Sequence, residues 1–163
     1  MQPIAADYTM PLVLPAPMPG AGRRVGFFPG STLGNFEPDE ALAFLQLAAR
    51  MLRGGGMLIG VDLVKDPARL HAAYNDAQGV TAAFNLNLLR RANSELDADF
   101  DLDGFTHAAF FNAPLRRIEM HLVSRRAQSV SLNGETFGFE EGETIHTEYS
   151  HKFTVDGLSL IHI

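Results

Sequence analysis

The chain contains no cysteine among its 163 residues. Disulfides and thiolate metal sites are therefore excluded, which fits a reducing compartment such as the cytosol. The sequence also lacks any apolar run of about 20 residues, the length that a membrane-spanning helix needs. No apolar stretch follows a basic N-terminus, so we expect no secretory signal. These absences together predict a soluble, cytoplasmic protein.

The sequence also has no excess of basic over acidic residues. The net charge is −6 at pH 7 and the isoelectric point is near 5.4. Such a chain has no overall positive field to attract nucleic acid or an anionic membrane surface. We therefore expect neither of these as a partner. The length of 163 residues suits one domain with a real core better than it suits two.

The first third of the sequence predicts a parallel β-α-β unit. RRVGFF (23–28) and MLIGVDL (57–63) are short apolar runs typical of buried strands, and EPDEALAFLQLAARML (37–52) carries the apolar spacing of a helix. The connection GFFPGSTLGNF (26–36) is a glycine-rich strand-to-helix turn, at the place where parallel α/β sheets bind ligands. From spacing alone, a ligand site and a plain tight turn are equally supported.

The remainder of the sequence changes from helical to β-like patterns. Residues 66–93 are rich in alanine and leucine but contain Gly79 and Thr81, which predicts two helices or one interrupted helix. Residues 95–105 predict a loop. From about residue 107 apolar and polar positions alternate, and Asn133-Gly134 lies between two β-like runs, a strong hairpin signal.

Most familiar catalytic and metal-binding motifs are absent or incomplete. DFDLDG (99–104) begins like a calcium loop, but Phe110 stands where the twelfth-position glutamate belongs. The histidines show no H-E-x-x-H arrangement, so we predict no metal site. Polar residues within the helical region, Tyr74, Asn75, Asn85 and Asn87, fit either a polar pocket or interhelical hydrogen bonds.

Six segments together resemble one family, the S-adenosylmethionine-dependent histidine Nα-methyltransferases of ergothioneine biosynthesis. They occur in the order found in that family and span almost the whole chain. They are ADYT (6–9), FFPGSTLGNF (27–36), IGVDLVKD (59–66), AAYNDAQGVTAAFNLNLL (72–89), RIEMHLVS (117–124) and GETIHTEYSHKF (142–153).

The resemblance implies an α/β fold, with a partial Rossmann-like methyltransferase sheet and an α+β substrate-binding part. Residues 1–66 would form the partial S-adenosylmethionine-binding region, and residues 67–157 the substrate-binding region with helices and antiparallel strands. Residues 158–163 do not resemble the family and would form a tail. The implied reaction moves methyl groups from S-adenosylmethionine to the α-amine of L-histidine.

The resemblance also implies roles for individual residues. Because methyl transfer from a sulfonium mainly requires alignment of the reactants, we expect no obligatory strong base. Three residues would contact the cofactor: Asp7 and Tyr8 beside the adenine, and Gly30 in the glycine-rich turn. Seven would contact histidine: Asn35 and Tyr74 at its amino-acid end, Thr81, Phe84 and Met120 as walls of the imidazole pocket, and Glu148 with Ser150 as the imidazole-recognising pair. A carboxylate and a hydroxyl on one side of a strand suit an N–H-bearing ring, although a solvated edge strand has the same pattern.

One departure from the family concerns the segment that precedes ADYT. Family members carry there a glycine-rich cofactor loop and an acidic residue that binds the ribose, whereas here ADYT begins at residue 6. We therefore expect an incomplete central fragment with weak or no activity of its own. Separately, we expect the chain to be monomeric. Two alternatives remain open: a non-catalytic amino-acid-binding remnant, and a methyltransferase for another amine.

Overall fold

The computed structural model describes residues 3–17 and 19–159, which form two compact units. The first unit contains the described residues up to Leu63 and those from His151 onward, and the second is Val64–Ser150. This differs from the single domain that the length suggests, and from the predicted boundary at residue 66. Residues 151–159 belong to the first unit because the chain returns there: Phe153 forms a parallel bridge with Leu63. Residues 160–163 of the predicted tail lie outside the described residues.

The first unit contains the predicted β-α-β arrangement, which is thereby confirmed. Its elements are β1 (Val25–Phe28), α1 (Pro38–Met51), β2 (Gly56–Ile59) and a short C-terminal helix, numbered α4 below (Val155–Ser159). β1 and β2 pair in parallel, from Val25 opposite Gly56 to Phe28 opposite Ile59. The start of α1 follows from its sequence, because Pro38 occupies the first turn and the side chains of Glu37 and Glu40 form a capping box.

Among the described residues, α1 and Leu33 cover one face of this small sheet, and the apolar side chains of the other face are exposed. Leu33 and three residues of α1, Ala41, Phe44 and Leu45, form a buried cluster against which Phe28 and Ile59 pack. Val25, Phe27 and Leu58 alternate with the packed positions and are 71%, 70% and 62% exposed. The apolar side chains of both strands are thus buried on one face of the sheet and exposed on the other.

The second unit begins with two helices, as the interruption near Gly79 predicts. These are α2 (Pro67–Tyr74) and α3 (Val80–Glu95). Gly79 precedes α3 with a φ of 69°, in the left-handed region, which ends the preceding segment before a new helix begins. None of the helices in the described part of the chain is long and apolar enough to cross a membrane.

The strands of the second unit form two separate sheets. A three-stranded sheet has the order β3-β4-β7, with β3 (Phe105–Asn112), β4 (Arg117–Ser124) and β7 (Thr144–His151). A two-stranded hairpin contains β5 (Gln128–Leu132) and β6 (Glu135–Phe139). Asn133 and Gly134 have φ values of 51° and 82°, as a tight hairpin turn requires, so the predicted hairpin is confirmed.

β4 separates an apolar face from a polar one. Ile118, Met120 and Leu122 point inward, where Ile118 and Met120 pack with Leu70 of α2 and Leu122 packs with Leu89 of α3. The intervening residues, including Glu119 and His121, therefore project from the opposite face. Strand alternation thus gives β4 a core face and a second face rich in titratable groups.

Candidate functional site

The glycine-rich turn follows the carboxyl end of β1, leads into α1, and is hydrogen-bonded to the segment that follows β2. Gly30 and Ser31 both have left-handed backbone conformations, with φ values of 77° and 57°. The Ser31 amide donates to the Gly60 carbonyl at 3.1 Å, and the Ser31 hydroxyl accepts a hydrogen bond from the Asp62 amide at 2.8 Å. Apart from its chain neighbours, a Cβ built at Gly30 would have Thr32 Oγ1 at 3.8 Å as its one contact within 4 Å in the described part of the chain, so the backbone of the turn is open to an approaching group. Asn35 ends the turn and is exposed.

Asp7 and Tyr8 lie in the same unit as this turn. The ring of Tyr8 packs edge-on against Phe28, Phe36 and Phe44, with centroid distances of 5.6, 6.4 and 6.0 Å. The amide and hydroxyl of Thr9 both donate to Oδ1 of Asp7, and these hydrogen bonds lower the pKa of the Asp7 carboxyl. The carboxylate is therefore charged and held by Oδ1, while its Oδ2 atom receives neither of these bonds.

Three of the predicted substrate residues meet inside the second unit, although they come from α2, β4 and β7. The Tyr74 hydroxyl donates to Oγ of Ser150 at 3.1 Å, and Ser150 is only 6% exposed. The ring of Tyr74 packs against the cluster that contains buried Met120. The fold thus brings together the phenol of Tyr74, the hydroxyl of Ser150 and the thioether of Met120, although Tyr74 and Ser150 are 76 positions apart in sequence.

Thr81, Phe84 and Glu148 also belong to the second unit. Thr81 is held at the first turn of α3, where its amide donates to Oδ1 of Asp76 at 2.8 Å. Hydrogen bonds from Thr81 and Val80 lower the pKa of Asp76 to about 2. Phe84 is 62% exposed, one turn further along the helix. Glu148 is half-buried on β7, and its carbonyl lies 3.1 Å from Nε2 of His146.

A model of the family described as "Histidine-specific methyltransferase, SAM-dependent" matches residues 1–162. The chain belongs to this family. The resemblance noted in the sequence and the α/β class are therefore confirmed. The matched range also reaches into residues 158–163, which were expected to lie outside the family's pattern.

Individual relatives agree with the family assignment. The histidine N-alpha-methyltransferase of Mycolicibacterium smegmatis is 50% identical over 140 residues, which cover 83% of this chain and 43% of the relative. The protein of the same name from Mycobacterium tuberculosis is 47% identical over 139 residues, with the same two coverages of 83% and 43%. Ergothioneine biosynthesis protein 1 of Neurospora crassa is 40% identical over 102 residues, 53% of this chain and 12% of that protein. The chain thus spans about two fifths of the length of the two bacterial relatives.

A buried hydrogen-bond network joins Asn85 and His107 to the backbone carbonyl of Tyr74, and the sequence analysis did not predict it. Nδ2 of fully buried Asn85 lies 3.0 Å from Nδ1 of His107 and also donates to the His121 carbonyl at 3.0 Å. Nε2 of His107 lies 2.8 Å from the Tyr74 carbonyl. His107 can accept from Asn85 and donate to Tyr74 only as the neutral tautomer protonated at Nε2. The polar pattern of the helix signalled Asn85, but nothing local signalled His107.

The polar face of β4 carries a second group of titratable residues, Glu119 and His121. Burial is the largest influence on the Glu119 carboxyl and favours its neutral form, but hydrogen bonds from Arg117 and Asn112 outweigh it and lower the pKa. Burial also lowers the pKa of His121, assisted by nearby His146 and opposed by Glu119. At neutral pH the pair is therefore a carboxylate beside a neutral imidazole.

Proposed function

We propose that the full-length polypeptide containing this chain transfers methyl groups from S-adenosylmethionine to the α-amine of L-histidine, in ergothioneine biosynthesis. The observation that carries the proposal is the convergence of Tyr74, Met120 and Ser150 in the second unit. The family description and the names of the relatives support the same reaction. A cytoplasmic location and a monomeric state remain predictions.

The imidazole is proposed to be recognised by Glu148 and Ser150. A neutral imidazole presents one N–H donor and one acceptor nitrogen. The Glu148 carboxylate can accept from the donor, while the hydroxyl of Ser150, which accepts from Tyr74 at 3.1 Å, can donate to the other nitrogen. A hydrogen bond to the charged Glu148 contributes roughly 1.5–3 kcal/mol, enough to select histidine over a phenyl side chain.

The first unit is proposed to bind the methyl donor, and its residues fit that group. The exocyclic amine of adenine is a hydrogen-bond donor, and Oδ2 of Asp7 is an acceptor that receives neither Thr9 bond. Tyr8 offers an aromatic ring that is 47% exposed, and the open backbone at Gly30 admits close approach of a ligand. When bound, S-adenosylmethionine supplies the electrophilic methyl group.

The protein's own contribution is proposed to be alignment. Methyl transfer is an in-line displacement, so the amine must be held at the methyl group in its neutral form. Tyr74 is proposed to hold the amino-acid end of histidine, with its ring fixed against Met120 and its carbonyl against His107. Asn35, Thr81 and Phe84 are proposed to add contacts to the substrate. No step requires a strong base in the chain.

The test is methyl transfer by the full-length polypeptide. Incubation with S-adenosylmethionine and L-histidine should give Nα-methylated histidine, detected by mass spectrometry. Glu148→Ala should lower kcat/KM for histidine by at least about tenfold, because it removes a charge-assisted hydrogen bond. Glu141→Ala removes an exposed carboxylate from the loop before β7 and should leave the rate unchanged.

Two results would overturn the proposal and favour the alternatives. Methylation of another amine with no product from histidine would indicate a different substrate. Calorimetric binding of histidine that is indifferent to S-adenosylhomocysteine, with no methyl transfer, would indicate an amino-acid-binding module without methyltransferase activity.

A further inference from the structure

Three side chains able to bind a metal ion lie together on the polar face of the β3-β4-β7 sheet. Glu119 and His121 are two residues apart on β4, and His146 lies on the neighbouring strand β7. One ligand atom from each lies within 4.8 Å of the other two. The group is distinct from the convergence of Tyr74, Met120 and Ser150, because Met120 projects from the opposite face of β4.

The Glu119 carboxylate is already oriented toward this group. Its Oε1 atom accepts hydrogen bonds from Nε of Arg117 at 2.8 Å and from Nδ2 of Asn112 at 3.0 Å. Its Oε2 atom lies 3.6 Å from Nε2 of His121. Partners that fix one oxygen of a ligating carboxylate are typical of protein metal sites, where they orient the ligand.

The imidazole of His121 presents a nitrogen to the same place. Nδ1 of His121 lies 3.3 Å from the hydroxyl of Thr144. Nε2 is buried and has no partner within hydrogen-bond distance among the described residues. When Nδ1 donates to Thr144, the lone pair lies on Nε2, the form in which imidazole binds a metal.

His146 supplies the third nitrogen after a rotation of its ring. The rings of His121 and His146 are stacked, with centroids 4.7 Å apart and an angle of 16° between them. Stacked rings direct their in-plane lone pairs side by side, whereas ligands of one ion must converge on it. His146 is exposed, so its ring can turn toward Oε2 of Glu119 and Nε2 of His121, giving up the 3.1 Å contact of its own Nε2 with the Glu148 carbonyl.

We propose that Glu119, His121 and His146 form a binding site for one divalent transition-metal ion. Two imidazoles and a carboxylate suit Zn²⁺, Ni²⁺ and Cu²⁺, with Cu²⁺ the tightest of the three, whereas Mg²⁺ and Ca²⁺ require a shell of oxygen ligands. Three protein ligands also leave a coordination position for water or a small molecule. The site is independent of the proposed methyl transfer, because none of its three ligands is assigned to histidine or to the methyl donor.

Metal titration of the tag-free chain tests the site directly. Zn²⁺ and Cu²⁺ are added in competition with a chromophoric chelator, and the Cu²⁺ complex is examined by electron paramagnetic resonance. The wild type should bind one equivalent and show coupling to two imidazole nitrogens. His146→Ala, a change at an exposed position, should weaken binding at least about tenfold and leave coupling to one nitrogen.

His71→Ala is the matched control, because His71 is an exposed histidine on α2 outside the group. It should bind metal as the wild type does. Equal affinities in His146→Ala and His71→Ala would overturn the proposal, as would the absence of saturable binding to the wild type. Saturable binding of Mg²⁺ with no binding of Zn²⁺ or Cu²⁺ would also contradict it.

Discussion

The two units use their apolar residues in different ways. In the second unit, both helices cover the inward face of β4, whose residues Ile118 and Leu122 are 0% exposed. In the first unit, α1 covers one face of the β1-β2 sheet, while Val25, Phe27 and Leu58 on the other face are largely exposed. The second unit therefore has an enclosed hydrophobic core, whereas the sheet of the first unit is packed on one of its two faces.

Parallel strands are normally covered on both faces, because the crossover connections place helices there. In a two-stranded parallel sheet with one exposed apolar face, only about half of the apolar side chains are buried and stabilise the fold. We therefore expect the second unit to carry most of the stability of this chain.

The first prediction compares two leucines on strands of the two units. Leu122→Ala should lower the free energy of unfolding by roughly 2–5 kcal/mol, because it leaves a cavity beside Leu89 and Phe105. Leu58→Ala removes the same atoms from a side chain that is 62% exposed and should cost less than about 1 kcal/mol. Urea denaturation of both variants measures the difference. Equal losses would show that the first unit is as enclosed as the second.

The local elements of both units could be predicted from the sequence because their signals lie within a few residues. The helix α1 follows from apolar spacing and from Pro38 in its first turn, and the β5-β6 hairpin from Asn133-Gly134. The parallel pairing of β1 with β2 follows from a strand-helix-strand order that leaves few alternatives. These features need no knowledge of distant contacts.

Features that join distant residues could not be predicted in this way. The bridge between Phe153 and Leu63 places the end of the chain in the first unit, but no local sequence pattern predicts that these two residues pair. The neighbours His121 and His146 depend on the strand order β4-β7, which hydrophobic periodicity does not specify. The roles proposed for the candidate substrate residues rest on the resemblance of long segments, and the fold itself brings together only Tyr74, Met120 and Ser150 of the residues that the structure describes.

The second prediction tests the polar interior of the second unit. Asn85→Ala leaves the His121 carbonyl and Nδ1 of His107 without the Asn85 donor. A buried polar group that loses its partner costs roughly 1–3 kcal/mol, so the stability loss should fall in that range. Asn87→Ala, two residues along the same helix and not fully buried, should change stability by less than about 0.5 kcal/mol.

Magnetic resonance of the His107 ring nitrogens sharpens this second prediction. The wild type should show the neutral tautomer protonated at Nε2, because Nδ1 accepts from Asn85 while Nε2 donates to the Tyr74 carbonyl. In Asn85→Ala the nitrogen signals should shift toward a mixture of tautomers. An unchanged tautomer with unchanged stability would mean that Asn85 does not position His107, and hence does not support Tyr74.

The third prediction concerns the close approach of the strands in the first unit. A Cβ at Gly55 would lie 1.9 Å from the Arg24 carbonyl oxygen, whereas a Cβ at Gly56 would meet none of the described residues within 4 Å apart from its chain neighbours. Gly55→Ala should therefore force a backbone shift and destabilise the first unit by about 1–3 kcal/mol, while Gly56→Ala should be tolerated. Amide hydrogen exchange should report faster exchange in β1 and β2 of Gly55→Ala, with β4 unaffected. Faster exchange in β4 as well would show that the two units unfold together.

The fourth prediction concerns the start of α3, where the carboxylate of Asp76 accepts hydrogen bonds from the first backbone amides of the helix. Hydrogen bonds from the amide and the side chain of Thr81, and from the amide of Val80, lower the pKa of Asp76 from 3.8 to about 2. A lowered pKa means that the folded state favours the carboxylate, so its contribution is complete above pH 3.8 and disappears as the pH falls through about 2. Asp76→Asn should therefore melt at a lower temperature than the wild type at neutral pH, with a gap that closes in acid. Asp103→Asn, the control, removes the same charge at an exposed position. If its melting temperature differed from that of the wild type with the same pH dependence, the effect would come from net charge and not from the start of α3.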